Sequence, residues 1–305
     1  MASISVLIAN YNNGKYISAA IDSVIRQTFT DWEIVVVDDA SDDDSISILD
    51  KYVSTGLPVI VHRHEKRQGC GGTKHDCIAF SSGEICCFLD PDDALTVDAL
   101  AVMAEAHRNN PSVSLVYSRF FFCDPDLKIV RRADWVKSIP EGDINLLHDQ
   151  VMAFVSFKRS AYNNTEGIGR QFVSSEDKDL YYKLEEIAPF LFVDYTLYLY
   201  RENRKGMSQF HNYITAQDNH LQVIESAMRR REKTGFKSLT NAQYRMVKSR
   251  IYLQRAELLV RLKYPVADVL RWLLSSFSLY PSQCNLLRVQ YLMKSCLQSK
   301  NIKKA

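Results

Sequence analysis

Long apolar runs are missing from this 305-residue chain: none reaches eighteen residues, so no segment reads as a bilayer-spanning helix. Glycine-rich phosphate loops are missing too. The stretch Gly69-Cys70-Gly71-Gly72 lacks the Gly-Lys-Ser/Thr ending of a P-loop and the spacing of a dinucleotide fingerprint, and reads as a flexible loop. The seven cysteines are odd in number and show no metal-finger spacing. Cys86 and Cys87 are adjacent in a predicted strand, where their side chains point to opposite faces and are poorly placed to bridge. Reduced thiols in a cytosolic protein fit this usage better than a secreted disulfide scaffold. The N-terminus MASISVLIANYNN lacks a charged leader and a small-residue cleavage site, and reads as a first strand rather than a signal peptide. No internal repeat or low-complexity tract is present. An apolar fraction of 46% suffices for one large core, or for a core with a smaller companion.

The most informative segment that is present is CCFLDPDD, residues 86–93, an apolar run that ends on three carboxylates. A buried strand that delivers Asp90, Asp92 and Asp93 to its carboxyl end crowds like charges, which raise each other's pKa. A divalent cation relieves such crowding, and Mg²⁺ is typically held by one or two carboxylates plus substrate phosphates. The other reading is a helix start near Leu95, capped by Asp92 or Asp93.

Apolar periodicity predicts strands over 3–9, 32–37, 59–62 and 85–89, with another opening at 115. Helices are predicted between them over 16–27, 45–53, 74–81 and 97–107, the third closed by Gly83. This alternation argues for an α/β fold built on a mostly parallel open sheet, whose ligands gather at the carboxyl ends of the strands. Asp38 and Asp39 end one strand and the 90–93 cluster ends another, so both are expected in one crevice. Residues 118–200 are less regular: 149–158 reads as a strand or short helix, 174–186 as a helix and 190–200 as a strand. From about residue 212 the pattern is helical, with helices over 240–262, 266–279 and 284–298.

Four segments, in order ISVLIANYNN, IDSVIRQTFTDWEIVVVDDASDD, SSGEICCFLDPDD and SSEDKDLYYKL, together resemble the family 2 glycosyltransferases, inverting enzymes with a GT-A fold. The resemblance covers roughly residues 1–208. It implies a GT-A catalytic domain over 1–210, followed by a helical basic region over 211–305. It also implies a nucleotide-sugar donor, UDP-sugar favoured, a glycan or lipid-linked acceptor in polysaccharide synthesis, and Mg²⁺ or Mn²⁺ as cofactor. Carried over residue by residue, Tyr11 and Asp39 would hold the nucleobase, and Asn10 stands where the family often has Thr. Asp90 would face the ribose or donor sugar, and Asp92 would be the metal ligand. Lys74 stands where an Arg often contacts the diphosphate, and the 69–72 loop would cover the donor phosphates. Asp177 matches the catalytic base, with Glu176 beside it. A base on the opposite face of the sugar from the leaving group is what direct displacement requires.

The sequence departs from the family in places. Gln68-Gly69 stands where Asn-Gly is commoner, His75 where Asn is common, and Asn203 where a His sometimes completes the metal sphere. His211 reads as an ordinary surface or core residue. Each site residue also has a plain alternative: Tyr11 a core aromatic, Asp39 a turn residue before Ser41, Lys74 a surface lysine, Asp177 a helix-start acid. Two other functions remain open at this stage. One is a sugar nucleotidyltransferase, for which a glycine-rich N-terminal loop is missing. The other is a non-catalytic scaffold of an envelope polysaccharide assembly.

A net charge of +2 hides a division: residues 201–305 carry 20 Lys and Arg against 6 Asp and Glu, residues 1–200 carry 18 against 30. Basic amphipathic helices with Trp and Leu can lie on an anionic membrane, which would put a cytoplasmic protein at the inner membrane face. A helical subdomain that packs its apolar face on the catalytic part, or on a second copy in a homodimer, is favoured over insertion. Nucleic acid is not an expected partner, because aromatic residues are not interleaved with the basic ones.

Overall fold

The computed structural model describes residues 2–172, 174–202 and 212–281. The chain divides into two compact units, Met1–Asn203 and Arg204–Ala305. The first unit runs β1 (Ile4–Asn10), α1 (Gly14–Ile25), β2 (Trp32–Asp38), α2 (Ser45–Val53), β3 (Val59–Arg63), α3 (Gly69–Phe80), β4 (Ile85–Phe88), β5 (Ala94–Leu95) and α4 (Ala99–Asn109). It continues with β6 (Leu115–Cys123), β7 (Ile129–Arg132), α5 (Asn145–His148), β8 (Val155–Lys158), α6 (Arg159–Tyr162), α7 (Glu176–Glu185) and β9 (Phe190–Arg201).

All nine strands share one sheet, in the order β3-β2-β1-β4-β8-β6-β9-β5, with β7 pairing to β6. The first four are parallel, as the strand–helix alternation predicts. The remainder is mixed: β8 runs antiparallel to both β4 and β6, and β9 is parallel to β6 but antiparallel to β5. Residues 118–200 do not repeat the βα alternation, so nothing forces their strands into one direction. The central β1 and β2 are buried along almost their whole length, in keeping with apolar runs that only Ser5 and Glu33 interrupt. In α1 the buried Ile17, Ala20, Ile21 and Val24 recur at helical spacing.

Two predicted details are corrected. The 69–72 stretch is not a loop but the first turn of α3, which begins at Gly69 rather than Lys74. Low glycine propensity suggested a loop. It is overridden because a carboxylate holds the turn, and because an added Cβ at Gly71 would meet the Gly169 carbonyl oxygen at 2.8 Å. Gly83 is not a helix cap: α3 ends at Ser81 in extended conformation. Glycine is required there because a Cβ would come within 2.7 Å of the Ser5 backbone nitrogen. The buried Ser5 hydroxyl and Glu33 carboxylate then accept the Gly83 and Ser82 amides, fixing the entry to β4.

The second unit contains α8 (Tyr213–Thr234), α9 (Asn241–Arg261) and α10 (Val266–Leu279). A capping box between Thr240 and Gln243 opens α9. Leu253, Ala256 and Leu259 pack on Val269 and Leu273. Its positive charge is not all solvated. Arg231 is fully buried and donates to the Lys237 carbonyl, and Arg255 lies over the Trp272 ring and pairs with Asp218 at 2.6 Å. The predicted helix over 284–298, Asn203 and His211 lie outside the described residues. Among the described residues, no helix is long and apolar enough to cross a membrane.

Candidate active site

Parallel register sets Asn10 beside Asp38, so the carboxyl tips of β1 and β2 meet. Asp38 is the turn residue here: it accepts from the Asn10 amide at 2.7 Å and from the Ser41 backbone and hydroxyl. The amide group of Asn10 must face Asp38, which fixes its Oδ1 elsewhere. That oxygen is buried and has no hydrogen-bond partner among the described residues. An orphaned buried oxygen calls for an explanation, and a bound ligand's donor supplies one.

Asp39 is therefore not the turn carboxylate. Its Oδ1 accepts from the Gln68 amide at 2.7 Å and its Oδ2 from the Gly69 amide at 2.9 Å, so it holds the N-terminus of α3. His64 Nδ1 lies 2.8 Å from Oδ1, and His64 Nε2 lies 3.1 Å from Asp76, which in turn pairs with Arg170. Burial alone would raise the Asp39 pKa, but the amide and His64 hydrogen bonds hold it below its ordinary value. A carboxylate has about four acceptor sites, so Oδ2 keeps one for a ligand. Tyr11 is half-buried rather than a core ring, and the Arg67 guanidinium lies 3.9 Å from its centroid.

The acidic turn after β4 is built against β9. Asp93 accepts the Arg201 amide at 2.7 Å, and Arg201 Nε donates to the Asp92 carbonyl. The Arg201 guanidinium also covers the Tyr16 ring at 4.6 Å. Asp93 thus caps no helix, because β5 follows directly and α4 begins only at Ala99. Burial, then Asp92 and Asp90, push its carboxyl well above the usual range. Asp90 lies deep among protein atoms yet its side chain remains 49% exposed, as on the floor of an open cleft. Burial raises its pKa; Lys74 opposes this, and Asp92 and Asp177 reinforce it. The Asp90 amide donates to the Tyr198 hydroxyl at 3.2 Å.

Lys74 is not a surface lysine. Only 8% exposed on α3, it sits 2.8 Å from Glu176 and 3.8 Å from Asp90. Burial disfavours its ammonium, but Glu176, Cys70, Asp90 and Asp177 together keep its pKa well above normal. Glu176 is no solvated neighbour: it is buried, and takes a second contact from the Cys70 thiol. Asp177 is half-buried in the first turn of α7, with the Lys178 amide donating to it at 2.8 Å. Ser175, just before, adopts the left-handed conformation (φ 63°), a strained backbone of the kind found at functional sites. Tyr181 lies below, where burial and then Asp177 push its phenol well above normal. Lys74 thus reaches both Glu176 and Asp90, and the charges of Asp92 and Asp177 both act on Asp90.

The sequence reading missed four contributors: His64, Arg67, Tyr198 and Arg201. His64, Arg67 and Tyr198 have no motif of their own. Arg201 stands in the YRENRKGMS segment, which resembles the family's YR-x-H stretch but gives the arginine no role. Each acts through a partner distant in sequence. Among the described residues, no group of three or more His, Cys, Asp or Glu could hold a metal. Asp90 and Asp92 are all-oxygen donors, which suits a hard cation that takes its other ligands from a diphosphate.

A sheet with a parallel half and charged groups at its strand tips is an α/β arrangement that binds ligands at those tips. The glycosyl transferase family 2 model matches residues 5–165, and the chain belongs to that family. It is 27% identical to Escherichia coli chondroitin synthase over 246 residues, covering 78% of this chain but 34% of that protein. Staphylococcus aureus TarS 1–349 in complex with UDP-GlcNAc aligns with TM-score 0.66 and 17% identity over 97% of this chain and 88% of that one. A mannosyltransferase from Pyrobaculum calidifontis, in complex with GDP-Man and Mn²⁺, aligns with TM-score 0.61 and 14% identity over 97% and 86%. The fold is GT-A, and the family to which the chain belongs is one of glycosyltransferases.

Proposed function

We propose that this chain is a metal-dependent inverting glycosyltransferase that moves a sugar from a nucleotide-diphospho-sugar to a hydroxyl of a glycan or lipid-linked acceptor in polysaccharide synthesis. The observation that carries the reading is the convergence of Lys74, Asp90, Glu176 and Asp177 from three separate elements. The nucleobase stacks on Tyr11 and donates an N–H to Asp39, with Asn10 Oδ1 as a further acceptor. Asp90 faces the ribose or donor sugar. Lys74, its charge stabilised by Glu176, neutralises the diphosphate as it leaves. Asp177 takes the proton from the attacking acceptor hydroxyl, general-base catalysis worth about 10²–10⁴ in rate. Asp92, with Asp90 beside it, would hold Mg²⁺ or Mn²⁺; when bound, the cation supplies Lewis-acid charge neutralisation at the phosphates. A UDP-sugar is the favoured donor, in keeping with the likeness to TarS in complex with UDP-GlcNAc. A nucleotide-sugar donor and the free thiols of Cys70, Cys77, Cys86, Cys87 and Cys123 suit a cytoplasmic site. The catalytic domain over 1–210 and the helical basic region over 211–305 are carried into this reading, with membrane contact left to the second.

Asp177→Asn tests the assignment. Donor affinity, measured by calorimetry with UDP-sugars and Mn²⁺, is expected to stay within about twofold, while transfer falls by at least about 10². Near-normal transfer in this variant would overturn the role of Asp177.

A further inference from the structure

One surface of the first unit is explained neither by the core nor by the reacting groups. Phe120 and Phe122 on β6 pair directly with Tyr198 and Tyr200 on β9, so the four rings share one face of the sheet. Tyr198 is the ring whose hydroxyl meets the Asp90 amide. This is therefore the face of the acidic turn. Tyr200 is two residues further along, about 7 Å by strand rise. Beside it Phe122 packs on Tyr200 at 5.6 Å and on Trp135 at 5.7 Å, and Phe120 meets Trp135 edge-on at 6.1 Å. Two aromatic neighbours, Phe120 and Phe122, thus support the Trp135 ring, yet it stays 47% exposed. Charged groups rim it. Arg131 lies over the Phe122 ring at 3.3 Å and pairs with Glu202 at 3.2 Å, and Arg132 pairs with Asp134 at 2.6 Å.

An exposed apolar patch with a polar rim marks a binding surface. A supported indole face beside paired charges matches one ligand chemistry well. A pyranose ring presents C–H groups on a flat face and hydroxyls around its edge. The indole covers the first, and the Arg131–Glu202 pair can exchange hydrogen bonds with the second. The location agrees: Phe120, which meets Trp135, pairs across the ladder with Tyr198, and the Tyr198 hydroxyl meets the Asp90 amide.

We propose that Trp135, supported by Phe120 and Phe122 and flanked by Arg131 and Glu202, is a subsite for a pyranose ring of the acceptor glycan, remote from the hydroxyl that reacts. The inference rests on the glycosyl-transfer reading above. It adds where the acceptor is held and by what contact.

The experiment compares the full chain with Trp135→Ala, Trp135→Phe and Arg131→Gln on an array of chondroitin, hyaluronan, chitin and β-glucoside oligosaccharides. Hydrolysis of UDP-sugars without acceptor is followed in parallel, because it reports the donor site alone. The expected result is glycan binding by the parent chain, weakened about tenfold by Trp135→Ala and largely kept by Trp135→Phe, with donor hydrolysis unchanged in all variants. Arg131→Gln is expected to weaken binding by a smaller factor. The subsite is overturned if the parent binds no glycan, or if Trp135→Ala binds the same glycans equally well. It is also overturned if Trp135→Ala changes only the oligomeric state in sedimentation, which would assign the patch to a second copy. Absence of donor hydrolysis in every protein, with glycan binding that still depends on Trp135, would instead count against the catalytic reading and uphold the subsite.

Discussion

His107 gives the sharpest quantitative test of the packing. It sits on α4, 3% exposed, with Nε2 3.0 Å from the Ser156 hydroxyl and Nδ1 buried without a partner among the described residues. Burial first, and then the nearby Lys158 charge, lower its pKa from 6.5 to about 4. The unfolded chain therefore takes up a proton as pH falls below its ordinary value, while the native state resists until about pH 4. The His107 contribution is fully present above that ordinary value and is lost as pH falls towards the folded one. The loss amounts to about 2 kcal/mol between pH 7 and pH 5, rising to ~3 kcal/mol near pH 4. Other groups titrate in the same range. Asp39, Asp43 and Asp76 have lowered pKa values and act in the same direction, whereas Asp90 and Asp93 are raised and act in the opposite one. Those terms cancel in a difference. Urea unfolding of the parent and of His107→Gln, followed by circular dichroism at several pH values, should give stability curves that converge or cross by this amount. Parallel curves from pH 7 to pH 4.5 would refute the reasoning and show that the imidazole reaches water.

Other consequences are open to direct measurement. Lys74→Met leaves Glu176 buried without its cation; a stability loss of about 3–5 kcal/mol is expected, partly restored by adding Glu176→Gln, as thermal melting will show. Gly71→Ala drives a methyl into the Gly169 carbonyl, a backbone atom that cannot swing away, and should cost about 1–3 kcal/mol in urea unfolding. Asp39→Asn removes one of the two carboxylate oxygens that hold the start of α3 and weakens the group proposed to meet the base, so UDP affinity by calorimetry should fall about tenfold. Chelation of divalent ions should abolish transfer and added Mn²⁺ should restore it; activity that persists in a chelator would remove the metal from the scheme.

The first half of the fold was legible because its chemistry is local. Apolar runs such as Trp32–Val37 and the helical spacing of Ile17, Ala20, Ile21 and Val24 announce the elements that contain them. In the second half the helices Glu176–Glu185, Asn241–Arg261 and Val266–Leu279 and the strand Phe190–Arg201 were legible too. The sheet order was not, since β8 and β9 owe their direction to partners such as Tyr117 and Val155 that pair across long separations. The same distinction divides the site. Asp90, Asp92 and Asp177 stand in recognisable segments, but nothing near Lys74 in sequence tells of Glu176, its partner at 2.8 Å. Nor did the glycines at 69–72 reveal a helix, because the carboxylate that holds its first turn belongs to Asp39, just past the end of β2 and thirty residues earlier.

That helix has a consequence for the geometry of transfer. One end of α3 is pinned by Asp39, and Lys74 projects from its second turn, roughly 7 Å along the axis. The helix therefore works as a ruler between the group proposed to read the nucleobase and the charges proposed to act on the sugar phosphate. A single residue inserted between Gly69 and Lys74 would rotate the ammonium by about 100° and lengthen the span by ~1.5 Å. Donors whose base and phosphates are differently spaced would then be measured against the wrong length.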